Sequence, residues 1–289
     1  MSIIEFRDLI IDRITGVLED TKVTKCDALK NNGVYLYGIC LNNKNSNVYP
    51  TIYLERYYQR YLSDEPIENI VTDILEYDEE NRFSGEFDVD LFFDFERLRD
   101  RLFVKLISRE KNEDFLKSVP SRDFLDLSIV VYCDVSDMCG QRASITIKKE
   151  HVSKWNVTED ELIDIAMDNT RGSKPKLTDM SYYIDKVTGE TRDDSRGKMY
   201  VMTNDALIFG AVSMLSDDLL DEFLQNKARG VYILPSSICE VILVIDNGEY
   251  DNYAFDEIIN QVNIETLSEE EILSTHAYYY SAENGYSIV

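Results

Sequence analysis

The stretch GVYILPSSICEVILVID, residues 230–246, decides how the end of the chain folds. Two runs rich in β-branched residues flank Pro235, Ser236 and Ser237, a pattern typical of two strands joined at a turn. A prolyl ring fixes φ, and serine hydroxyls bond to the backbone groups of turns. These three residues are therefore turn candidates, and we expect them to link two strands of one sheet.

A nucleophilic serine is the alternative interpretation of this turn. A nucleophile elbow needs small residues in the pattern GxSxG and a helix after the serine. Here Pro235 and Ile238 flank the serine pair, and a strand pattern follows. The general base that a serine nucleophile requires is also scarce, because the only histidines of the chain are His151 and His276. We therefore expect no catalytic residue in this stretch.

The patterns around this stretch predict the fold class. The order strand, helix, strand, strand, helix, strand occupies residues 199–204, 208–228, the two halves of 230–246, 253–267 and 276–289. This is a split βαβ arrangement, which requires a mixed or antiparallel sheet with helices on one face. We predict an α+β protein with mixed or antiparallel sheets, helices packed on one face, and a βαββαβ-like C-terminal part.

The length of the chain, 289 residues, suggests two domains. Residues 171–198 lose the apolar periodicity and are rich in Gly, Ser, Thr and charged residues, which indicates a linker or a long loop. We therefore predict an N-terminal α+β domain over residues 1–170 and a C-terminal α+β domain over residues 199–289.

Local patterns in the first 170 residues predict further elements. Amphipathic spacing indicates helices at residues 3–19, at 66–80 after a cap at Ser63 or Asp64, and at 155–169 after a capping box of Thr158 and Glu161. Strand-forming residues indicate two strand pairs, 34–41 with 49–55 and 124–135 with 142–150, the second turning near Gly140.

An acidic segment within residues 86–107 is a candidate functional surface. It contains Glu86, Asp88, Asp90 and Asp94, and hard cations prefer carboxylate ligands. Apolar residues nevertheless follow at helical spacing, at Leu91, Phe95, Leu98, Leu102 and Leu106. We therefore predict one long helix that begins near Asp88 or Asp90, where the helix dipole favours acidic side chains. Capping explains these carboxylates without a metal, and we predict no metal site.

Other recognisable chemistry is missing from the sequence. The five cysteines are scattered without CxxC spacing, which indicates free thiols rather than a zinc site. The phosphate-binding patterns GxxxxGK[ST] and GxGxxG do not occur. We therefore expect no catalytic centre and no cofactor.

The charge of the chain restricts its partners. There are 55 acidic against 30 basic residues, a formal net charge of −25. Nucleic acid and anionic membranes repel such a surface, so the expected partner is another protein, with a basic protein as one candidate. No apolar run approaches the roughly 20 residues that cross a bilayer, and Glu5 and Asp8 do not suit a signal peptide. We expect a cytoplasmic protein.

The sequence resembles an uncharacterised bacterial family, a domain of unknown function found in anaerobic gut bacteria and their mobile elements. The most specific blocks are WNVTEDELIDIAMDNT, residues 155–170, and LPSSICE, residues 234–240, and the resemblance covers nearly the whole chain. More distantly, the chain resembles another uncharacterised bacterial group that shares the WNVTEDEL pattern. The resemblance implies a cytoplasmic protein and no particular activity, cofactor or catalytic residue.

Three functional hypotheses follow from the sequence. The first is a non-enzymatic protein-interaction module, because no nucleophile and base, metal-ligand spacing or phosphate loop is present. The second is an acidic decoy that imitates nucleic acid and inhibits a basic nucleic-acid-binding partner. The third is a metal-dependent enzyme that uses the carboxylates of residues 86–94.

Overall fold

The structure is a computed structural model that describes residues 1–18, 21–42, 46–83, 87–140, 142–173, 175–180, 199–225, 229–246, 248 and 253–289. Its helices are α1 (Ile3–Val17), α2 (Glu55–Leu62), α3 (Ile67–Asn81), α4 (Phe95–Leu98), α5 (Glu113–Leu116), α6 (Ser136–Cys139), α7 (Lys149–Val152), α8 (Glu159–Gly172), α9 (Asp217–Leu224) and α10 (Tyr253–Thr266).

The strands are short and pair only in the antiparallel sense among the described residues. They are β1 (Lys22–Lys25), β2 (Ala28–Leu29), β3 (Tyr35–Leu36), β4 (Gly38–Asn42), β5 (Ile52–Tyr53), β6 (Leu102–Ser108), β7 (Ser121–Phe124), β8 (Leu127–Asp134), β9 (Ser144–Thr146), β10 (Pro175–Asp179), β11 (Met199–Asn204), β12 (Val231–Ser237), β13 (Glu240–Ile245), β14 (Tyr278–Ser281) and β15 (Gly285–Ile288). The prediction of an α+β protein with antiparallel sheets is confirmed.

The chain forms two compact units, residues 1–90 with 135–143 and residues 91–134 with 144–289. This division does not follow the expected boundary within 171–198, and independent folding of the two expected domains stays a prediction. Residues 175–179 lie within the expected linker or loop but form β10, which pairs along its length with β11. Because β10 is an edge strand, it can be polar and carry no apolar pattern. Residues 174 and 181–198 lie outside the described residues.

The first unit packs three helices around a small sheet of β1, β4 and β5. The predicted helix at residues 3–19 is confirmed, and its buried positions include Phe6, Ile10 and Ile14. These side chains share one core with Ile39 of β4 and Ile74 of α3. The spacing of four between the buried residues of α1 therefore places one apolar stripe against the sheet.

Two boundaries in the first unit differ from the predictions. The pairing of β4 with β5 confirms the strand pair, but the second strand is short because Glu55 already begins α2. The predicted cap of the following helix at Ser63 or Asp64 is wrong. Helix α3 begins directly after Pro66, whose side chain can make no capping hydrogen bond.

A four-stranded sheet in the second unit is built around β8, which pairs with β6, β7 and β9. The pairing of β8 with β9 confirms the second predicted strand pair, and Gly140 adopts the left-handed φ of 67° in the intervening segment. Strand β8 is buried over almost its whole length. It therefore reads as a continuous apolar run, as expected of a central strand.

The prediction of one long helix over residues 86–107 is wrong. A 3-10 helix (Val89–Phe93) and the single turn of α4 precede β6. The spacing of four between Leu98, Leu102 and Leu106 fits two strand repeats as well as one helical turn. Pairing of β6 with β8 along seven residues decides for the strand and buries Leu102, Val104 and Leu106 on one face.

Helix α8 begins at the predicted capping box. The Thr158 hydroxyl accepts a hydrogen bond from the Glu161 amide, and the Glu161 carboxylate accepts one from the Thr158 amide. Farther along the helix, Asn169 donates to the carbonyl oxygens of Arg99 and Leu102 at 2.7 and 2.9 Å. Helix α8 is therefore anchored to the start of β6.

The six-stranded sheet of the second unit has the order β10, β11, β13, β12, β14, β15. The hairpins of β12 with β13 and of β14 with β15 confirm the predicted strand order. Helix α10 packs on one face through Phe255 and Ile259. Helix α9 contacts the other face, where Phe223 lies edge-on to Tyr200 of β11 with 5.0 Å between ring centroids. Helical segments therefore contact both faces, rather than the single face expected.

Replacing Thr158 by alanine should lower the free energy of unfolding by about 1 kcal/mol, because the Glu161 amide loses its capping acceptor. The measurement is urea-induced unfolding. The matched control is Thr72→Ala within α3, where the hydroxyl bonds only to the carbonyl of Glu68 in its own helix. An equal loss of stability in both variants would contradict a specific capping role for Thr158.

Candidate functional site

The acidic segment predicted as a candidate surface serves local capping where it is described. The Asp88 carboxylate accepts a hydrogen bond from the Asp90 amide at 3.1 Å, and Asp94 accepts one from the Glu96 amide at 3.1 Å. Asp88, Asp90 and Asp94 are all exposed. Glu86 lies outside the described residues. These bonds are the ordinary use of acidic residues at the start of a helical turn.

In the part of the chain that the structure describes, no three His, Cys, Asp or Glu side chains form a group that could hold a metal ion. All five cysteines are free thiols, and burial raises the pKa of the Cys40 thiol to about 12, with a further contribution from contact with Cys26. A thiol with so high a pKa is a poor nucleophile and a poor ligand near neutral pH.

Pro235, Ser236 and Ser237 lie at the end of β12 rather than in the turn itself. The strand register shifts between Pro235 and Ser237, which is a bulge that accommodates a residue without an N–H group. The turn follows at residues 238–239, and the Ser237 hydroxyl accepts a hydrogen bond from the Cys239 amide at 3.0 Å. Ser237 thus satisfies a backbone group of the turn, which lies at residues 238–239 and not at residues 235–237.

Neither histidine forms a nucleophile–base pair with a serine among the residues that the structure describes. In the 149–152 turn, Nδ1 of His151 accepts a hydrogen bond from the Lys148 amide, and burial lowers the pKa of His151. Nδ1 of His276 lies 3.2 Å from Asp256. The Ser274 hydroxyl nearby donates to Asp126 at 2.9 Å, so its proton is directed to a carboxylate rather than to His276.

A cavity of about 110 Å³ adjoins this contact in the second unit. Its lining includes Lys111, Asp126, Ser274 and His276. Lys111 forms an ion pair with Glu269, and the Ser274 hydroxyl donates to Asp126. Asp126 also accepts a hydrogen bond from the Tyr278 hydroxyl, and Nδ1 of His276 lies beside Asp256. These polar side chains are therefore already paired with other residues of the second unit, which is typical of a structural junction.

The terminal hairpin is fastened by tyrosine hydroxyls that donate to aspartates from distant parts of the second unit. The pairs are Tyr278 with Asp126 at 2.7 Å, Tyr279 with Asp246 at 2.9 Å, Tyr280 with Asp221 at 2.8 Å and Tyr286 with Asp217 at 2.8 Å. Hydrogen bonds to ionised acceptors are stronger than neutral ones. Part of the acidic surplus therefore serves as structural acceptors.

Alternation along β14 explains why three consecutive tyrosines find three different partners. Tyr278 and Tyr280 point to one face of the sheet, and Tyr279 points to the other, where it meets the ring of Tyr232. A side chain on Gly230 would collide with the Tyr279 hydroxyl, so this strand end requires glycine. The sequence pattern indicated the alternation, but it contained no signal for aspartates 33 to 152 residues away.

The outer face of α10, a helix of the second unit, carries both exposed apolar residues and exposed acidic residues. Sequence periodicity predicts a helix at residues 253–267 with Phe255, Ile258, Ile259 and Val262 on one face. Phe255 and Ile259 are buried, but Ile258 is 51 % exposed and Val262 is 37 % exposed. We define the α10 outer face as the exposed residues Glu257, Ile258, Gln261, Val262, Ile264 and Glu265.

The helix below this face is firmly attached. Phe255 and Ile259 share a core with Tyr232 and Val244 of the sheet, and the buried amide of Asn263 donates to the Ser274 carbonyl at 3.0 Å. Ile258 and Val262 lie one helical turn apart, so their side chains are neighbours on the outside. The α10 outer face is consequently a preformed apolar strip on a rigid support.

The tyrosine contacts make the free energy of unfolding depend on pH in the alkaline range. Burial and the bond to Asp246 raise the pKa of Tyr279 to about 12, above the value of about 10 for an unfolded chain. The folded state therefore retains the proton that the unfolded chain releases between these values. The free energy of unfolding should fall as pH rises from about 10 to about 12.

Urea unfolding of the wild type and of Tyr279→Phe over this pH range tests the contribution of Tyr279. The variant should lose less stability than the wild type as pH rises, because one group with a raised pKa is removed. The difference between the two proteins near pH 7 is the control, since tyrosine is neutral there in both states. Parallel pH profiles would contradict the assignment.

Within the described residues, each helix is too short or too polar to cross a membrane. Neither a curated protein nor a solved structure matches the chain. A family model described as "Family of unknown function (DUF5688)" matches residues 3–282. This match covers nearly the whole chain, and the protein therefore belongs to that family of unknown function.

Proposed function

We propose that the protein is a non-enzymatic, cytoplasmic protein-interaction module that binds its partner through the α10 outer face. The observation that carries the proposal is the exposure of Ile258 and Val262 on a helix whose other apolar residues are buried. Single exposed apolar residues are ordinary on a protein surface. Here two neighbours on one helical ridge remain uncovered, and Ile264, 84 % exposed, lies on the adjoining ridge.

The energetics of the α10 outer face suit an interface. Burying an exposed isoleucine side chain contributes about 1.5–3 kcal/mol. The supporting helix is already packed against the sheet, so little conformational entropy is lost when a partner binds. Polar residues flank the strip, with Gln261 donating to Glu265 at 2.9 Å. An apolar centre with a polar rim is the usual anatomy of a protein–protein interface.

The two alternatives from the sequence receive less support. An acidic decoy needs carboxylates free to imitate phosphates, whereas several aspartates of the second unit accept tyrosine hydroxyls. A metal-dependent enzyme built on residues 86–94 needs converging ligands, whereas the carboxylates of Asp88 and Asp94 accept backbone amides. The interaction module uses the exposed strip that both alternatives leave unexplained.

The double variant Ile258→Ser with Val262→Ser tests the proposal by quantitative capture of proteins from lysate of the source organism. The amount of a partner captured by the double variant should be at least about tenfold lower than with the wild type, because a loss of about 1.4 kcal/mol in binding free energy lowers the affinity tenfold. The matched control is Ile4→Ser, an isoleucine on α1 that is 47 % exposed.

Two results would overturn the proposal. One is an identical set of captured proteins, in equal amounts, from the wild type and the double variant. The other is the absence of any protein that depends on Ile258 and Val262 at either low or high salt. Release of the captured partner by added nucleic acid would instead support the acidic-decoy alternative.

A further inference from the structure

The second unit has a one-sided charge distribution near the α10 outer face. None of the sixty residues from Gly230 to Val289 is Lys or Arg, and eleven of them are Asp or Glu. By contrast, Arg or Lys side chains pair with acidic residues at several places earlier in the chain, for example Arg60 with Asp73 and Arg122 with Asp164. Any Lys or Arg side chain that neutralises the acidic residues around α10 must therefore come from outside residues 230–289.

The acidic residues of the α10 outer face have no described cationic neighbour. Glu257 and Glu265 are both exposed, and neither forms an ion pair with a Lys or Arg of the described residues. Glu265 accepts a hydrogen bond from the neutral amide of Gln261. Each carboxylate is therefore available to a cation supplied by a partner, at a site where such pairs mainly set orientation and rate of association.

Spacing on the helix connects these charges with the apolar strip. Ile258, Gln261, Val262 and Glu265 occur at positions i, i+3, i+4 and i+7, so they share one face of α10. Glu257 borders this face and lies eight residues before Glu265, a distance of about 12 Å along the axis. The fourteen residues of α10 extend over about 21 Å. A straight ridge of this length fits the groove of another helix.

Other occupants suit the face less well. A second copy of this chain would bring Glu257 and Glu265 against their own equivalents, and like charges at an interface are unfavourable. An anionic membrane would meet the same repulsion. A partner helix with an apolar stripe and basic flanks would instead cover Ile258 and Val262 and neutralise both carboxylates.

We propose that the α10 outer face binds a basic amphipathic helix of a partner protein, an inference that rests on the proposed function and specifies the chemistry of the partner. The apolar stripe of that helix covers Ile258 and Val262. Lys or Arg residues about two helical turns apart pair with Glu257 and Glu265. The mode is helix-to-helix recognition, in which apolar anchors give affinity and flanking charges select the partner.

A synthetic fourteen-residue peptide with a leucine stripe and lysine flanks is the probe, and fluorescence anisotropy with the full-length protein is the measurement. A scrambled peptide of the same composition controls for general attraction to an acidic protein. The designed peptide should bind more tightly than the scrambled one. Ile258→Ser with Val262→Ser should weaken binding at least about tenfold, while Ile4→Ser leaves it unchanged.

Charge-removing variants test the role of the two carboxylates. Glu257→Gln with Glu265→Gln should weaken binding about three- to tenfold at low salt and less at about 1 M salt, where charges are screened within about 3 Å. The matched control is Glu76→Gln with Glu80→Gln on α3, which removes the same number of charges from exposed residues. This control should leave the affinity unchanged.

The inference is overturned if the designed and scrambled peptides bind equally, or if both pairs of Glu→Gln variants have the same effect. It is also overturned if the wild type forms a dimer that Ile258→Ser with Val262→Ser dissociates, or if the protein binds anionic vesicles through these residues. Any of these results could be found together with a lysate partner whose capture depends on Ile258 and Val262. That combination would leave the proposed function standing and reject only the basic helix as the partner.

Discussion

The hydrogen bonds from tyrosine hydroxyls to aspartates are the constraint on which the second unit depends. Tyr278, completely buried in β14, donates to Asp126 in the turn before β8, 152 residues earlier in the chain. This bond joins the six-stranded sheet to the four-stranded sheet. Three further tyrosine–aspartate hydrogen bonds attach the terminal hairpin to Asp246, Asp221 and Asp217. Burial of a tyrosine hydroxyl is tolerated only when it has such a partner.

The α10 outer face follows from this arrangement. The hairpin and β12 fix the sheet surface on which Phe255 and Ile259 of α10 pack. The opposite side of the helix then faces outward with Ile258 and Val262. Acidity thus has two roles in this unit: some carboxylates are internal acceptors, and others, such as Glu257 and Glu265, border an apolar surface. Net charge alone does not distinguish these roles.

Local signals were sufficient for many elements, because the interactions that define them lie within a few residues. The capping box of Thr158 and Glu161 and the turn near Gly140 are of this kind. Leu102 and Leu106 were ambiguous, since a spacing of four suits a helix and a strand, and pairing with β8 decided between them. No short pattern encodes a contact such as Tyr278 with Asp126, because its partner is set by the fold.

The exposed strip on α10 illustrates the same limit at the candidate site. Periodicity places Ile258 and Val262 on one helix face with Phe255 and Ile259, but it does not show which of them are buried. Which of them face outward depends on how the helix is rotated on the sheet, and Asn263, bonded to the Ser274 carbonyl, helps to set that rotation. The scarcity of cations after Arg229 is visible in the sequence, but its meaning depends on the position of Glu257 and Glu265 beside Ile258.

A double-mutant cycle on Tyr278→Phe and Asp126→Asn, followed by urea unfolding, tests the central claim most directly. A hydrogen bond to an ionised acceptor contributes about 1.5–3 kcal/mol, so the account predicts a coupling free energy of about 1 kcal/mol or more between the two sites. Additive effects, within about 0.5 kcal/mol, would contradict the claim that this pair fastens the two sheets of the second unit.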